Sequence, residues 1–106
     1  MAKIITSSYG YPKIGQNREL KKTLESYWAG KISKEVFLKE TQSLNGARLQ
    51  KQKEAWVDLI ASNDFSLYDF VLDTAVSLGI IPERFSYAQD ELDRYFAMAR
   101  GNDGAA

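Results

Sequence analysis

Two short stretches of this chain read as β-strand, and the long run of residues between them carries a helical pattern, which leaves few ways to fold it. The first is Lys3-Ile4-Ile5-Thr6-Ser7-Ser8-Tyr9, rich in β-branched and aromatic side chains and stopped by Gly10. The second, Val57-Asp58-Leu59-Ile60, is a brief apolar run between polar loops. Strands joined by a long helical crossover pair in parallel, because a tight turn cannot bring the second strand back in the same direction. Two strands cannot close a barrel, and each keeps an unpaired edge. A chain of 106 residues in this order reads as the opening of a larger α/β protein.

Four helices are expected around those strands. Asn17 is placed to cap a helix over residues 18–29, with Leu20, Leu24, Tyr27 and Trp28 on its apolar face and Gly30 as its stop. Ser33 caps a second helix reaching Trp56, with Glu35 in its first turn and Val36, Phe37, Leu44 and Leu49 as its stripe. Asn45-Gly46 is expected to kink or divide it. Ser66 and Asp69 resemble a capping box for a third helix whose face holds Leu67, Phe70, Val71, Thr74, Ala75 and Leu78, ended by Gly79 and Pro82. A fourth covers residues 90–100 with Leu92, Tyr95, Phe96 and Ala99 inward, followed by a frayed tail over residues 101–106.

Composition narrows the chemistry further. There is no cysteine and no histidine, so disulfides, thiolate nucleophiles, imidazole bases and the usual zinc ligands are all missing. Fourteen basic side chains balance fourteen acidic ones, so no overall field draws the chain to nucleic acid. The aromatic residues are spaced mostly as core, without the basic interleaving of a base-stacking platform. No apolar run is long enough for a membrane span or a signal peptide, and the cytoplasm is the expected compartment.

Two segments carry candidate chemistry. At the start of the first helix Arg18, Lys21 and Lys22 share one face, where they oppose the helix dipole unless an anion visits. The plainer reading, which the pattern alone favours, is a solvated basic face. Ser62-Asn63-Asp64-Phe65-Ser66 follows the second strand, the end at which parallel α/β proteins build sites. Turn formation and helix capping account for those residue types equally well, and more often. Asp58 and Asp64 are also candidates for an acid–base pair.

Longer motifs make the chain similar to a known family. Gly10-Tyr11-Pro12-Lys13-Ile14-Gly15-Gln16-Asn17-Arg18-Glu19-Leu20-Lys21-Lys22 resembles the opening signature of cobalamin-independent methionine synthases. Tyr27-Trp28-Ala29-Gly30-Lys31-Ile32-Ser33 resembles the end of that family's next helix. The stretch Val57-Asp58-Leu59-Ile60-Ala61-Ser62-Asn63-Asp64-Phe65-Ser66-Leu67-Tyr68-Asp69 resembles its second signature. Ile81-Pro82-Glu83-Arg84-Phe85 and Tyr95-Phe96-Ala97-Met98-Ala99-Arg100-Gly101 resemble the segments beyond that signature in the same family. Three positions depart from the pattern: Ala61 stands for a usual proline, Leu49 for an aromatic residue and Trp56 for a glycine. The indole of Trp56 is expected to disturb packing at the strand entrance.

The resemblance implies an α/β fold, with this chain as the helix-rich opening portion of a (β/α)8 barrel: two short parallel strands and four helices, the barrel incomplete. It implies a methyltransferase that moves a methyl group from 5-methyltetrahydropteroyltri-L-glutamate to homocysteine. Zinc in the parent enzyme, held by His, Cys and Glu elsewhere, would activate the homocysteine thiolate. No cofactor is implied for this segment. The family's folate-polyglutamate segment maps onto Arg18, Glu19, Leu20 and Lys21, which turns the anion reading of that helix start into the favoured one. The expected partners are that folate, at an incomplete site, and the remainder of the enzyme. The competing expectation is a free-standing module that associates with itself or with another chain.

Overall fold

The computed structural model describes residues 3–101. The chain divides into two compact units, Met1–Leu67 and Tyr68–Ala106.

In the first unit a strand, β1 (Ser7–Ser8), is followed by two helices, α1 (Glu19–Trp28) and α2 (Lys34–Glu54), and by a second strand, β2 (Leu59–Ile60). The strands pair in parallel, Ser7 opposite Leu59 and Ser8 opposite Ile60. They are shorter than the β-prone sequence suggests because side chains end the ladder on both sides. Before it, the Thr6 N–H donates to the Asp58 carboxylate (2.9 Å) and the Asp58 N–H to the Thr6 hydroxyl (3.1 Å). After it, the N–H groups of Gly10 and Tyr11 turn to the Asp64 carboxylate, at 2.7 and 2.9 Å.

Helix α1 buries Leu20 and Leu24, as its periodicity predicts. Its start differs: the N-cap is Arg18, in the left-handed region, and no side chain caps it, so Asn17 does not have the expected role. Helix α2 is capped by the Ser33 hydroxyl, which accepts from the Val36 N–H at 3.2 Å. It runs through Asn45 and Gly46 without a break, since its caps and intrahelical bonds outweigh two poor helix formers. Tyr27 and Phe37 stack with centroids 4.7 Å apart, joining α1 to α2.

The buried residues of α2 are Phe37, Thr41, Arg48 and Gln52, so Val36 (exposed) and Leu44 and Leu49 (half-buried) are not the core stripe. Burial of these polar groups is tolerated because each finds a partner. The Thr41 hydroxyl donates to the Leu38 carbonyl, and the Gln52 amide to that of Arg48.

The second unit holds α3 (Phe70–Ser77), a 3₁₀ turn (Glu83–Phe85) and α4 (Glu91–Arg100). The capping box expected at Ser66 is replaced by Asp69, whose carboxylate accepts from the N–H groups of Val71 and Leu72, so α3 starts later. The apolar face expected on α3 is largely outward: Phe70, Val71 and Leu78 are exposed, and no residue of the helix is fully buried. Helix α4 spans the expected residues and buries Leu92 and Phe96 as expected, but its third buried residue is Ala97, with Tyr95 and Ala99 half-buried, and Asp90 caps it. Phe85 and Ala97, with Ile81 and Met98 against them, make a small core in this unit. The Tyr95 hydroxyl donates to the Asp73 carboxylate at 2.6 Å, clipping α4 to α3.

Two broader expectations change. The aromatic residues are not uniformly core, since Tyr9, Trp56, Tyr68, Phe70 and Tyr87 are exposed while Phe37, Phe85 and Phe96 are buried. Trp56 leaves packing at the strand entrance undisturbed, being 87% exposed. Past Gly101 the expected tail lies outside the described residues. No helix among the described residues is long and apolar enough to cross a membrane.

Candidate functional site

The loop over residues 10–17 joins β1 to α1, and two buried charges hold its first half. The Asp64 carboxylate, in the turn after β2, receives the N–H groups of Gly10 and Tyr11. Arg48, on the inward face of α2, donates from Nη2 to the carbonyls of Tyr11 (2.7 Å) and Asp64 (2.9 Å). Its Nε donates to the Pro12 carbonyl at 3.3 Å and its Nη1 to the Asn45 side chain at 3.1 Å. The guanidinium also lies over the rings of Tyr11 and Phe65, about 5 Å from each centroid. Arg48 and the Asp64 carboxylate are 4.0 Å apart, both nearly inaccessible to water. A buried ion pair is tolerated when hydrogen bonds satisfy its remaining donors and acceptors, as they do here.

The second half of the loop is fixed by the start of α1. The Leu20 N–H donates to the Ile14 carbonyl (3.0 Å) and the Arg18 N–H to the Gly15 carbonyl (3.2 Å). Glu19 folds back so that its carboxylate accepts from the Asn17 N–H at 3.1 Å. Gly15 has a φ of +91°, and a Cβ there would collide with that carboxylate.

The four residues singled out from the sequence therefore part company. Arg18 and Lys21 are exposed, Glu19 is half-buried over the loop, and Leu20 is wholly buried. Lys21 also pairs with Glu25 at 3.7 Å, an exposed contact that water screens. Lys22 is exposed as well. Three cationic side chains can meet an anion here, Arg18 and Lys21 among them, while Leu20 anchors the helix that carries them. Residues of the loop, α1 and α2 wall an open groove of about 640 Å³, Tyr11, Pro12, Glu19, Leu44, Arg48 and Lys51 among them, and Arg18, Lys21 and Lys22 are not part of its lining. Its size falls within the range of small-ligand sites.

Asp58 and Asp64 do not form an acid–base pair. The first is engaged with Thr6 and the second with the loop and Arg48, on opposite sides of β2. In the turn after β2, Ser62 and Asn63 are exposed, whereas Asp64 and Ser66 are buried. Sequence reading weighs Asp64 as a turn residue or as an acid–base partner of Asp58, and misses Arg48 altogether. A signal is present: Arg48 stands four residues after Leu44 and four before Gln52, on the inward face of an amphipathic helix, where an arginine demands a partner.

With that geometry in hand, comparison with known proteins is specific. Residues 5–106 match the family described as cobalamin-independent synthase, N-terminal domain. The chain is 51% identical over 105 residues, 99% of its length, to the 5-methyltetrahydropteroyltriglutamate–homocysteine methyltransferase of Bacillus licheniformis. It is 54% identical over 99 residues, 93% of its length, to the protein of that name from Thermodesulfovibrio yellowstonii. Its identity to the one from Streptococcus mutans is 51% over 96 residues, 91% of the chain. It spans only 13–14% of the length of these relatives. A match that runs from β1 through α4 at this level of identity has one meaning: the chain belongs to the cobalamin-independent methionine synthase family, in the N-terminal domain.

Proposed function

We propose that this chain is the opening segment of the N-terminal (β/α)8 barrel of a zinc-dependent methyltransferase, which transfers a methyl group from 5-methyltetrahydropteroyltriglutamate to homocysteine. The observation that carries the reading is the identity to relatives of that name, 51% over 99% of this chain. The segment's own share is part of the folate-tail site. Arg18 and Lys21 offer fixed positive charge to the carboxylates of a polyglutamate tail, Glu19 closes the loop beneath them, and Leu20 holds the helix in place. The two parallel strands, open at their edges, suit the first rungs of a closed barrel.

Zinc does not fit this chain. The sequence has no cysteine or histidine, and among the described residues no group of three or more potential ligands comes together. The segment alone is therefore inactive in methyl transfer on this reading. The test is an assay of the pure 106-residue chain with zinc, homocysteine and the triglutamate folate, alongside an NMR titration with the folate alone. No turnover is expected, with weak shifts confined to residues 15–22 that vanish in R18Q/K21Q. Turnover by the chain, or shifts that survive the double substitution, would overturn the assignment.

A second reading, a self-associating module without catalysis, has one observation in its favour. Leu59, on β2, and Ile5 and Tyr9, which flank β1, are 60%, 58% and 79% exposed. The size of the native polypeptide in its source cells, by immunoblot against this segment, separates the two. A band several times larger than 12.0 kDa supports the enzyme, and a band at that mass supports the module.

A further inference from the structure

We propose that Arg48 is the positioning residue of the anion site: by fixing Tyr11 and Pro12, the near half of the loop that leads into α1, it tunes how Arg18 and Lys21 meet an anion, so that binding at the start of α1 depends on a side chain of α2. This inference rests on the anion reading of α1 under Proposed function. The loop contains no regular structure of its own, so its path is decided by what holds it. At its far end it is continuous with α1 through the bonds from Leu20 to Ile14 and from Arg18 to Gly15. At its near end it is gripped by Asp64 through two N–H groups and by Arg48 through two carbonyls.

Arg48 also donates to the main chain of Asp64, so one guanidinium ties the loop, the turn after β2 and α2 together. Only a planar fork of donors serves carbonyls in these separate directions; lysine would keep the charge and lose the geometry. The same arginine forms part of the wall of the groove that Glu19 and Lys51 also line, so a shift of the loop reshapes that groove at the start of α1.

The experiment uses the 106-residue chain with R48K and D64N, and γ-linked triglutamate as the probe. Amide hydrogen exchange reads the loop, and NMR titration reads binding. R48K is expected to speed exchange at Gly10 and Tyr11 about tenfold, leave Leu24 and Phe37 protected, and weaken triglutamate binding about tenfold. D64N, which keeps an acceptor oxygen but removes the charge, is expected to do the same to a lesser degree, and it carries the test should R48K not fold. A purely structural role would lower protection everywhere together. Unchanged loop exchange overturns the proposal, as does a loosened loop with unchanged affinity. If the wild-type chain shows no triglutamate binding, the anion reading fails and the coupling with it, while the exchange rates still decide whether Arg48 places the loop.

Discussion

Trp56 shows how much a single position can demand of a sequence. Helices α1, α2 and α3 end in the same way: the N–H two residues beyond the C-cap reaches back to a carbonyl one turn inside, as from Lys31 to Ser26, Val57 to Gln52 and Ile80 to Ala75. The residue between must be left-handed, and it is Gly30 in α1, Gly79 in α3 and Trp56 in α2, with φ of +72°, +71° and +63°. A side chain in that region costs about 1–2 kcal/mol, and the exposed indole gains little contact in return. W56G is expected to stabilise the chain by about 1 kcal/mol, a rise in Tm of about 4–8 °C in a domain of this size. The contrary case is Gly46, inside α2 with no atom within 4 Å of where a Cβ would stand. G46A is expected to add about 0.5–1 kcal/mol, read as a higher urea midpoint at unchanged slope.

At the scale of elements, capping decides boundaries that periodicity leaves open. The pattern puts the start of the third helix at Ser66, yet α3 begins after Asp69, whose carboxylate takes two of its free N–H groups. D69A should cost about 1 kcal/mol and fray the first turn of α3, seen as faster amide exchange at Val71 and Leu72. The cap at Ser33 is legible, because a short polar side chain directly precedes a good helix former, whereas Asn17 and Ser66 carry a similar signal and neither is the N-cap. The inward face of α2 is not, because Thr41, Arg48 and Gln52 are not apolar and a search for apolar period passes over them. The candidate site is split for the same reason. Charge at the helix start is visible in the residue types, whereas the burial of Leu20 and the folding back of Glu19 depend on how the chain packs around them.

On the scale of the whole molecule, a two-stranded parallel sheet with exposed apolar side chains asks for a cover. If that cover is a second copy of the chain, L59K should abolish concentration-dependent association in sedimentation velocity while leaving the far-UV spectrum unchanged. Wild-type chain that stays monomeric at high concentration would remove the self-association reading. The sequence by itself determined the order of strands and helices, their parallel pairing, the Ser33 cap and the family, because these depend on local periodicity, short-range capping and long contiguous motifs. Only the tertiary structure decided that Arg48 and Asp64 clamp the loop that leads into α1, that Asp58 ends a ladder, and that Trp56 occupies a glycine's conformation. The reason is physical: a buried charge is defined by its partners, and residues 10, 48 and 64 are distant in sequence until the parallel strands and α2 bring them together.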